Sequence, residues 1–253
     1  MTTHILEQKN ELIRNVAMIR FNRAIKPFSV LSFDLDDTLY NNGPIIKAAI
    51  KAQTEYLNTL PGFKEKGLQY WQHCREKTVK NQPELADDVT LWRKKTLRFA
   101  LSELGFDHHD TEQHANAAYQ AFSDARSNIV VNDSVLELLN NLRNHYTLIA
   151  ITNGNADVEK FNLNTTFSFV LQAGLHGKAK PHATLFDKAA MNLNIAKSEI
   201  LHIGDSLDTD VQGANNAGCQ SVWLNDQGAN YAYKGLADIE ISSIHALSYL
   251  IKK

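Results

Sequence analysis

The chain holds only two cysteines in 253 residues, Cys74 and Cys219. They lie far apart in sequence and show no metal-ligand spacing. That excludes a disulfide framework and a cysteine-built zinc site, and reads as two reduced thiols in a cytosolic protein. A basic excess is also missing: 26 lysines and arginines face 28 acidic residues, for a formal net charge of −2. With no surplus of cations to meet a phosphate backbone, nucleic acid is excluded as a main partner. No apolar run reaches the roughly 20 residues that a membrane-spanning helix requires. Repeats and low-complexity tracts are absent as well. His108-His109 is the one histidine pair, and its polar surroundings read as solvated surface rather than a metal site.

What remains is the composition of an ordinary globular protein. Hydrophobic residues at 43% suffice for a core, in one large domain or in a core with an insertion. Residues 1–27 read as a helical extension, because Ile5, Leu6, Ile13, Val16 and Ala17 recur at near-helical spacing. They lack the continuous apolar stretch of a secretory signal, and Glu7 and Glu11 count against a mitochondrial presequence. Helix packing on the body or on a second copy is the expectation; Met18 as an alternative start stays open.

The organising stretch is Ser32-Phe-Asp34-Leu-Asp36-Asp37-Thr38-Leu-Tyr40, which follows the apolar lead Phe28-Ser-Val-Leu-Ser-Phe33. A buried strand ending in clustered carboxylates needs something to offset their repulsion and desolvation. A divalent cation with oxygen ligands, such as Mg²⁺, is the simplest means. Strand alternation puts Asp34 and Asp36 on one side and Asp37 on the other. One carboxylate can then be a nucleophile while its neighbour moves protons. The plain alternative is a turn, or a cap for the next helix.

From about Asn42 to Asn128 helical periodicity dominates. The stripes run through Ile45–Leu57, Leu68–Val79, Val89–Leu104 and His114–Ala125, with Asp87-Asp88 as cap candidates and Gly105 as a stop. Beyond this, Ser134-Val-Leu-Glu137 has the form of a capping box. Strand and helix patterns then alternate: Thr147–Thr152, a helix near Ala156–Phe161, Phe167–Ala173, Ala183–Leu193, Glu199–Ile203, Asp210–Ala217, Ser221–Leu224, Ile239–Ile241 and a last helix. This alternation predicts an α/β fold, a Rossmann-like parallel sheet covered by helices on both faces, carrying an inserted all-helical unit.

In such a sheet ligands sit beyond the C-terminal strand ends. Those ends deliver Asp34 and Asp36; Thr152-Asn153-Gly154-Asn155; Lys180-Pro181 a little further on; and Gly204-Asp205 through Asp210. A hydroxyl before a glycine turn suits an anion, or caps a helix. A lysine fixed beside proline can neutralise a transferring phosphoryl group, or lie in a solvated loop. The Gly174–Lys178 stretch lacks Walker-loop spacing. Asp205 can share a cation with Asp34; Asp210 can cap a helix; Asp208 is expected in solvent.

Asp34-Leu-Asp36-Asp-Thr38, Thr152, Lys180-Pro181 and Gly204-Asp205 to Asp210, in that order, resemble the four motifs of the haloacid dehalogenase-like (HAD) superfamily. The helical insertion resembles its C1-type cap. The resemblance implies a core of 28–42 and 129–253 and a cap of 43–128. Phe33–Asn42, Asp88–Arg93, Leu148–Asn155 and Ala173–Lys178 further resemble the bacterial phosphatases of flavin biosynthesis, which act on 5-amino-6-(5-phospho-D-ribitylamino)uracil and on FMN.

With the local chemistry, the resemblance implies that Asp34 is the nucleophile and Asp36 the acid/base. Mg²⁺ would be held by Asp34, Asp205 and the backbone carbonyl of Asp36. Thr152, Asn153 and Lys180 would face the phosphoryl group, with Asp210 orienting Lys180 or a metal-bound water. Trp92 and Arg93 from the cap, with Tyr40 and His176, are candidates for reading the leaving group, although Trp92 can equally be helix core and Arg93 a surface ion pair. Asp36 speaks for a phosphatase over a dehalogenase. Alternatives are a broad sugar-phosphate, nucleotide or phosphoglycolate-type phosphatase, or a catalytically silent binding module; Asp34, Asp36 and Lys180, all present, count against the last.

Overall fold

A computed structural model describes residues 18–226 and 236–251. Seven strands form one sheet: β1 Ile19–Phe21, β2 Val30–Phe33, β3 Thr147–Thr152, β4 Val170–Gln172, β5 Ile200–Gly204, β6 Gln220–Leu224 and β7 Ile239–Ile241. Their order is β1-β7-β6-β5-β2-β3-β4, parallel except for β1, which runs antiparallel to β7. Chain order reverses between β2 and β5, so a crevice opens at their C-terminal ends.

The continuous apolar runs are explained by burial on both faces. Leu31, Phe33, Leu148, Ala150, Leu201 and Ile203 enter one core, with Leu138, Leu139 and Leu142 of helix α5 (Asp133–Arg143). Val30, Ile149, Ile151 and Ile200 enter a second core, under α6 (Thr184–Leu193) and α7 (Gln212–Ala217). Alternation along each strand divides the residues between the two.

Four helices occupy the chain between β2 and α5: α1 Asn42–Leu57, α2 Phe63–Asn81, α3 Val89–Glu103 and α4 His108–Arg126. They pack around a core of their own that includes Leu57, Phe63, Trp71, Cys74, Leu97, Leu101 and Ala118. Asp88 caps α3 by accepting from the Leu91 N–H at 2.8 Å. His108 and His109 are exposed, as expected.

Several sequence expectations are corrected. Of the expected helix over 1–27, residues 1–17 lie outside the described residues, and Ile19–Phe21 form a strand. The open edge of β7 accounts for this: Ile19 sits opposite Ile241, and Arg20 pairs with Glu240, so sheet pairing overrides a weak local periodicity. The helix expected near Ala156–Phe161 is one short turn, Val158–Lys160, and the last helix is a 3₁₀ segment, Ile244–Leu250. α5 is capped by Asn132, which accepts from the Ser134 N–H, two residues ahead of the start of the expected box.

Candidate active site

β2 ends where its ladder to β5 ends. The Asp34 N–H adds one more rung, to the Ile203 carbonyl at 2.8 Å, which places the Asp34 side chain level with Gly204-Asp205. The chain then turns tightly, with the N–H groups of Thr38 and Leu39 both donating to the Leu35 carbonyl. Asp37 takes a positive φ of 57° and caps α1 through the Asn42 N–H, so it leaves the site.

Under Asp34 runs a buried polar chain. Lys180 Nζ donates to Asp34 Oδ1 at 2.8 Å, Asp210 Oδ1 at 2.6 Å and the Ile151 carbonyl at 2.6 Å. An ammonium has three protons, so this lysine is saturated. Asp210 also meets His202 Nε2 at 3.2 Å and accepts from the Ser206 N–H, while His202 Nδ1 meets Ser32 Oγ at 2.9 Å. The Asp210 carboxyl fills the space where a Cβ at position 204 would come within 2.2 Å of its Cγ, so Gly204 admits no side chain. Burial pushes Asp34 up to about 8, against the opposing charge of Lys180. Burial also acts on Asp210, but Lys180 and His202 outweigh it and hold that carboxyl well below the usual range. His202, buried, is pushed down.

Asp205 stands half-buried, tied to Asp34 by Thr38 Oγ1, which lies 3.4 Å from Asp34 Oδ2 and 3.3 Å from Asp205 Oδ1. Burial, then the charge of Asp210, lifts Asp205 to about 6. Carboxylate oxygens of Asp34, Asp205 and Asp210 all lie within 4.8 Å of one another. Lys180 reaches two of them, and among the described residues no cationic side chain pairs with Asp205. Hard oxygen donors with uncompensated negative charge fit a divalent cation such as Mg²⁺. Asp210 is committed to Lys180 and His202, which leaves Asp34 Oδ2 and Asp205 to hold it. Asp208 is exposed.

The structure brings Thr152 to the same edge, buried, its hydroxyl accepting from the Gly154 N–H at 2.9 Å and keeping its own proton free to donate. Asn153 follows on the same turn. Its side-chain amide is taken up by Lys180, donating to the carbonyl at 2.9 Å and accepting from the N–H at 2.8 Å. Its side chain thus clamps the lysine's backbone. His176 accepts from the Gln172 N–H through Nδ1 and is absent from the cleft lining.

Against the expected alternation, Asp36 turns the other way from Asp34, because β2 ends at Phe33 and the chain is already in its turn. Its carboxylate accepts from Tyr40 Oη at 2.7 Å and from Arg126 Nη2, and so stands apart from the acidic cluster; only its backbone carbonyl is left to serve a cation there. It faces a cleft of about 310 Å³ between core and cap helices, lined by Arg75, Trp92, Arg93, Phe122, Arg126 and residues 153–155, among others. Trp92 donates from Nε1 to the Arg75 carbonyl and carries the Arg75 guanidinium 4.5 Å from its ring centre. Arg93 lies 3.6 Å over Phe122 and bonds Gln53 Oε1. Burial, then the charge of Arg75, lowers Arg93 to about 10. Neither arginine is the surface ion pair that a helix position alone allows.

Sequence reasoning missed Arg126 and His202. A histidine inside the apolar run Ile200-Leu-His-Ile was a legible sign of a buried polar partner. Arg126 gave none.

With this geometry in place, the class is clear: residues 28–218 match the haloacid dehalogenase-like hydrolases, and the chain belongs to that family. Among its relatives is the 5-amino-6-(5-phospho-D-ribitylamino)uracil phosphatase YigB of Escherichia coli K12, 37% identical over 241 residues, which cover 92% of this chain and 100% of YigB. The pyrimidine 5'-nucleotidase YjjG of the same organism is 30% identical over 142 residues, covering 53% of this chain and 63% of YjjG. The crystal structure of a 2-haloacid dehalogenase from Pseudomonas syringae pv. Tomato DC3000 superposes with a TM-score of 0.82 at 29% identity, covering 88% of this chain and 97% of that one.

Proposed function

We propose that the protein is a Mg²⁺-dependent phosphomonoesterase that works through an aspartyl-phosphate at Asp34, with 5-amino-6-(5-phospho-D-ribitylamino)uracil or FMN as substrate. The observation that carries the chemistry is the division of labour between two carboxylates. Asp34 sits in the cation cluster beside Lys180, while Asp36 stands outside it, facing the cleft where a leaving group must lie. The substrate reading rests on the full-length likeness to YigB.

In the first step an Asp34 oxygen forms a bond to phosphorus as the P–O bond to the alcohol breaks, and Asp36 gives its proton to that departing oxygen. In the second, water attacks the same phosphorus, Asp36 takes its proton, and Asp34 leaves as carboxylate. Thr152 offers its hydroxyl proton to a phosphoryl oxygen. Lys180 fixes Asp34 from below and can donate to the phosphoryl group only by releasing one of its three partners. Asp34, Asp205 and the Asp36 carbonyl would hold the cation. When bound, Mg²⁺ offsets the repulsion between carboxylate and phosphate that otherwise opposes in-line attack. A cytosolic setting is compatible with Cys74 and Cys219, both free thiols.

The likeness to a 2-haloacid dehalogenase favours a second reading, in which Asp34 displaces halide. The placement of Asp36 speaks against it, since halide needs no proton. A panel of FMN, the ribitylaminouracil phosphate, ribose 5-phosphate, phosphoglycolate, nucleotides and 2-chloropropionate, with and without EDTA, tests both. The highest kcat/KM is expected for a flavin-pathway ester, lost with EDTA. Asp36→Asn should abolish turnover of alkyl phosphates while leaving Mg²⁺ binding nearly intact. Halide release, or full activity of that variant, removes the reading.

A further inference from the structure

We infer that Arg126, the last residue of α4, positions Asp36 for proton transfer. The inference rests on the proposed acid/base role of Asp36 and adds a residue that the four superfamily motifs do not contain. Arg126 sits 90 positions from Asp36 in sequence, yet its Nη2 lies 2.6 Å from Asp36 Oδ1 and 2.5 Å from Oδ2. Its side chain is 2% exposed against 20% for Asp36, so the cation is sealed and the carboxylate faces out.

Two more contacts complete the hold. Tyr40 Oη donates to Oδ1, and the Tyr40 ring is itself braced edge-on against Phe161 at 6.0 Å. From the opposite side the backbone after β3 presses on the pair: a Cβ on Gly154 would come 2.4 Å from Asp36 Oδ2 and 3.1 Å from Arg126 Nη2. Asp36 is thus gripped by three chain segments, and only Arg126 comes from the helical insertion.

A plain stabilising staple accounts for this less well. An arginine serving stability alone gains most by a two-pronged grip, with Nη1 or Nε sharing the load. Here Nη2 does all the bonding, and the buried Nη1 has no partner among the described residues. A buried unpaired donor costs about 1–3 kcal/mol, so the geometry is held at some expense to stability. What it secures is direction: both carboxylate oxygens are fixed while the group stays open to the cleft. A proton donor must be held to within a fraction of an ångström of the oxygen it serves. Arg126 acts through Asp36, and is a positioning residue.

Leaving groups separate this role from a structural one. An alkyl alcohol cannot depart as its anion and needs a proton; 4-nitrophenolate departs without one. The term kcat/KM reports the step in which the P–O bond breaks. Wild type, R126Q, R126K, D36N and D36N/R126Q are compared on the best alkyl phosphate of the panel and on 4-nitrophenyl phosphate. R126Q should lose roughly 30- to 100-fold on the alkyl ester, within the span of general acid catalysis, and under about 5-fold on the aryl ester. R126K, which keeps a cation, should recover part of the alkyl activity. Adding R126Q to D36N should change neither ester further, because the group it positions is gone. Equal losses on both esters in R126Q and R126K alike, or additive losses in the double variant, would overturn the inference. The acid/base reading fails separately, if D36N itself keeps its alkyl turnover.

Discussion

Two polar regions lie a few residues apart and are built on opposite plans. In the chain Ser32–His202–Asp210–Lys180–Asp34 every charged group is buried and paired, and the lysine's three protons are all spent. In the cleft above, Arg75, Arg93 and Arg126 face one carboxylate, Asp36. Neither Arg75 nor Arg93 pairs with an acidic residue among the described residues, and Arg126 Nη1 has no partner. A closed network is preorganised and needs no rearrangement when charge moves, which suits the phosphoryl chemistry common to all esters. Arg75 and Arg93, without an acidic partner among the described residues, keep donors in reserve, which suits a leaving group that brings its own oxygens, while the sealed Arg126 serves Asp36. The difference assigns phosphoryl transfer to the core and, apart from Asp36 and the Arg126 that holds it, selectivity to the cleft.

The hardest blow to that division is Lys180→Met. It leaves Asp34 and Asp210 buried without their cation, so a stability loss of about 3–5 kcal/mol is expected along with loss of turnover. Urea unfolding and initial rates check both. A folded, active K180M protein would mean that the lower network is not the engine. Further from the reaction, His202→Leu removes the link between Ser32 and Asp210 but leaves Asp210 its bonds to Lys180 and the Ser206 N–H. Here kcat should drop roughly 10-fold on every ester alike, with KM little moved, as fits a loss felt mainly in the transition state. An ester-dependent loss would blur the two regions.

Much of the lower network could be read in the chain itself, and little of the upper one. Asp34, Thr152 and Asp205 each follow an apolar run closely, and the position of ligand sites in parallel sheets carries them to one edge, while Lys180, eight residues past β4, is placed there by the family resemblance. The cap helices were legible for the same reason: Asp88 caps α3, and Gly105 follows its end. Other features depend on partners distant in sequence. Ile19–Phe21 became a strand because β7 offered an edge more than 200 residues away. The Asn153 amide closes on the Lys180 backbone 27 positions away, a clamp that nothing local announces. Arg126 stands in the last turn of a helix, where the helix dipole favours a basic residue whatever its role, so nothing local set it apart.

In the cleft, Arg75→Met and Arg93→Met should behave unlike any change below. Neither change strands a buried charge, but Arg93→Met leaves the buried Gln53 Oε1 without its donor, so about 1–3 kcal/mol of stability should be lost there and less at Arg75. The losses should fall mainly on KM and grow with the size of the leaving group: roughly 10-fold on ring-bearing esters and less on small sugar phosphates, in line with hydrogen bonds to a charged group. Uniform losses in kcat would place these arginines in the engine after all.

The smallest effect is thermodynamic and concerns Asp34 alone. Burial raises its carboxyl to about 8 in the protein without a cation, against 3.8 for the free group. Between those values the unfolded chain has released the proton and the folded one retains it, so the folded state binds more protons and stability falls as pH rises. Asp210 has the opposite sign: its depressed value adds stability above the usual carboxylate range and loses it only on acidification, outside this window. Asp34→Asn removes the first effect and leaves the second. In EDTA the variant's Tm should therefore gain on that of the wild type from pH 5 to pH 8. Mg²⁺ should reverse the order, because it binds the folded wild type through a carboxylate the variant lacks. A wild type that gains on the variant with rising pH in EDTA would mean that Lys180 already neutralises Asp34 fully, and the paired network would then hold no charge in reserve for a cation.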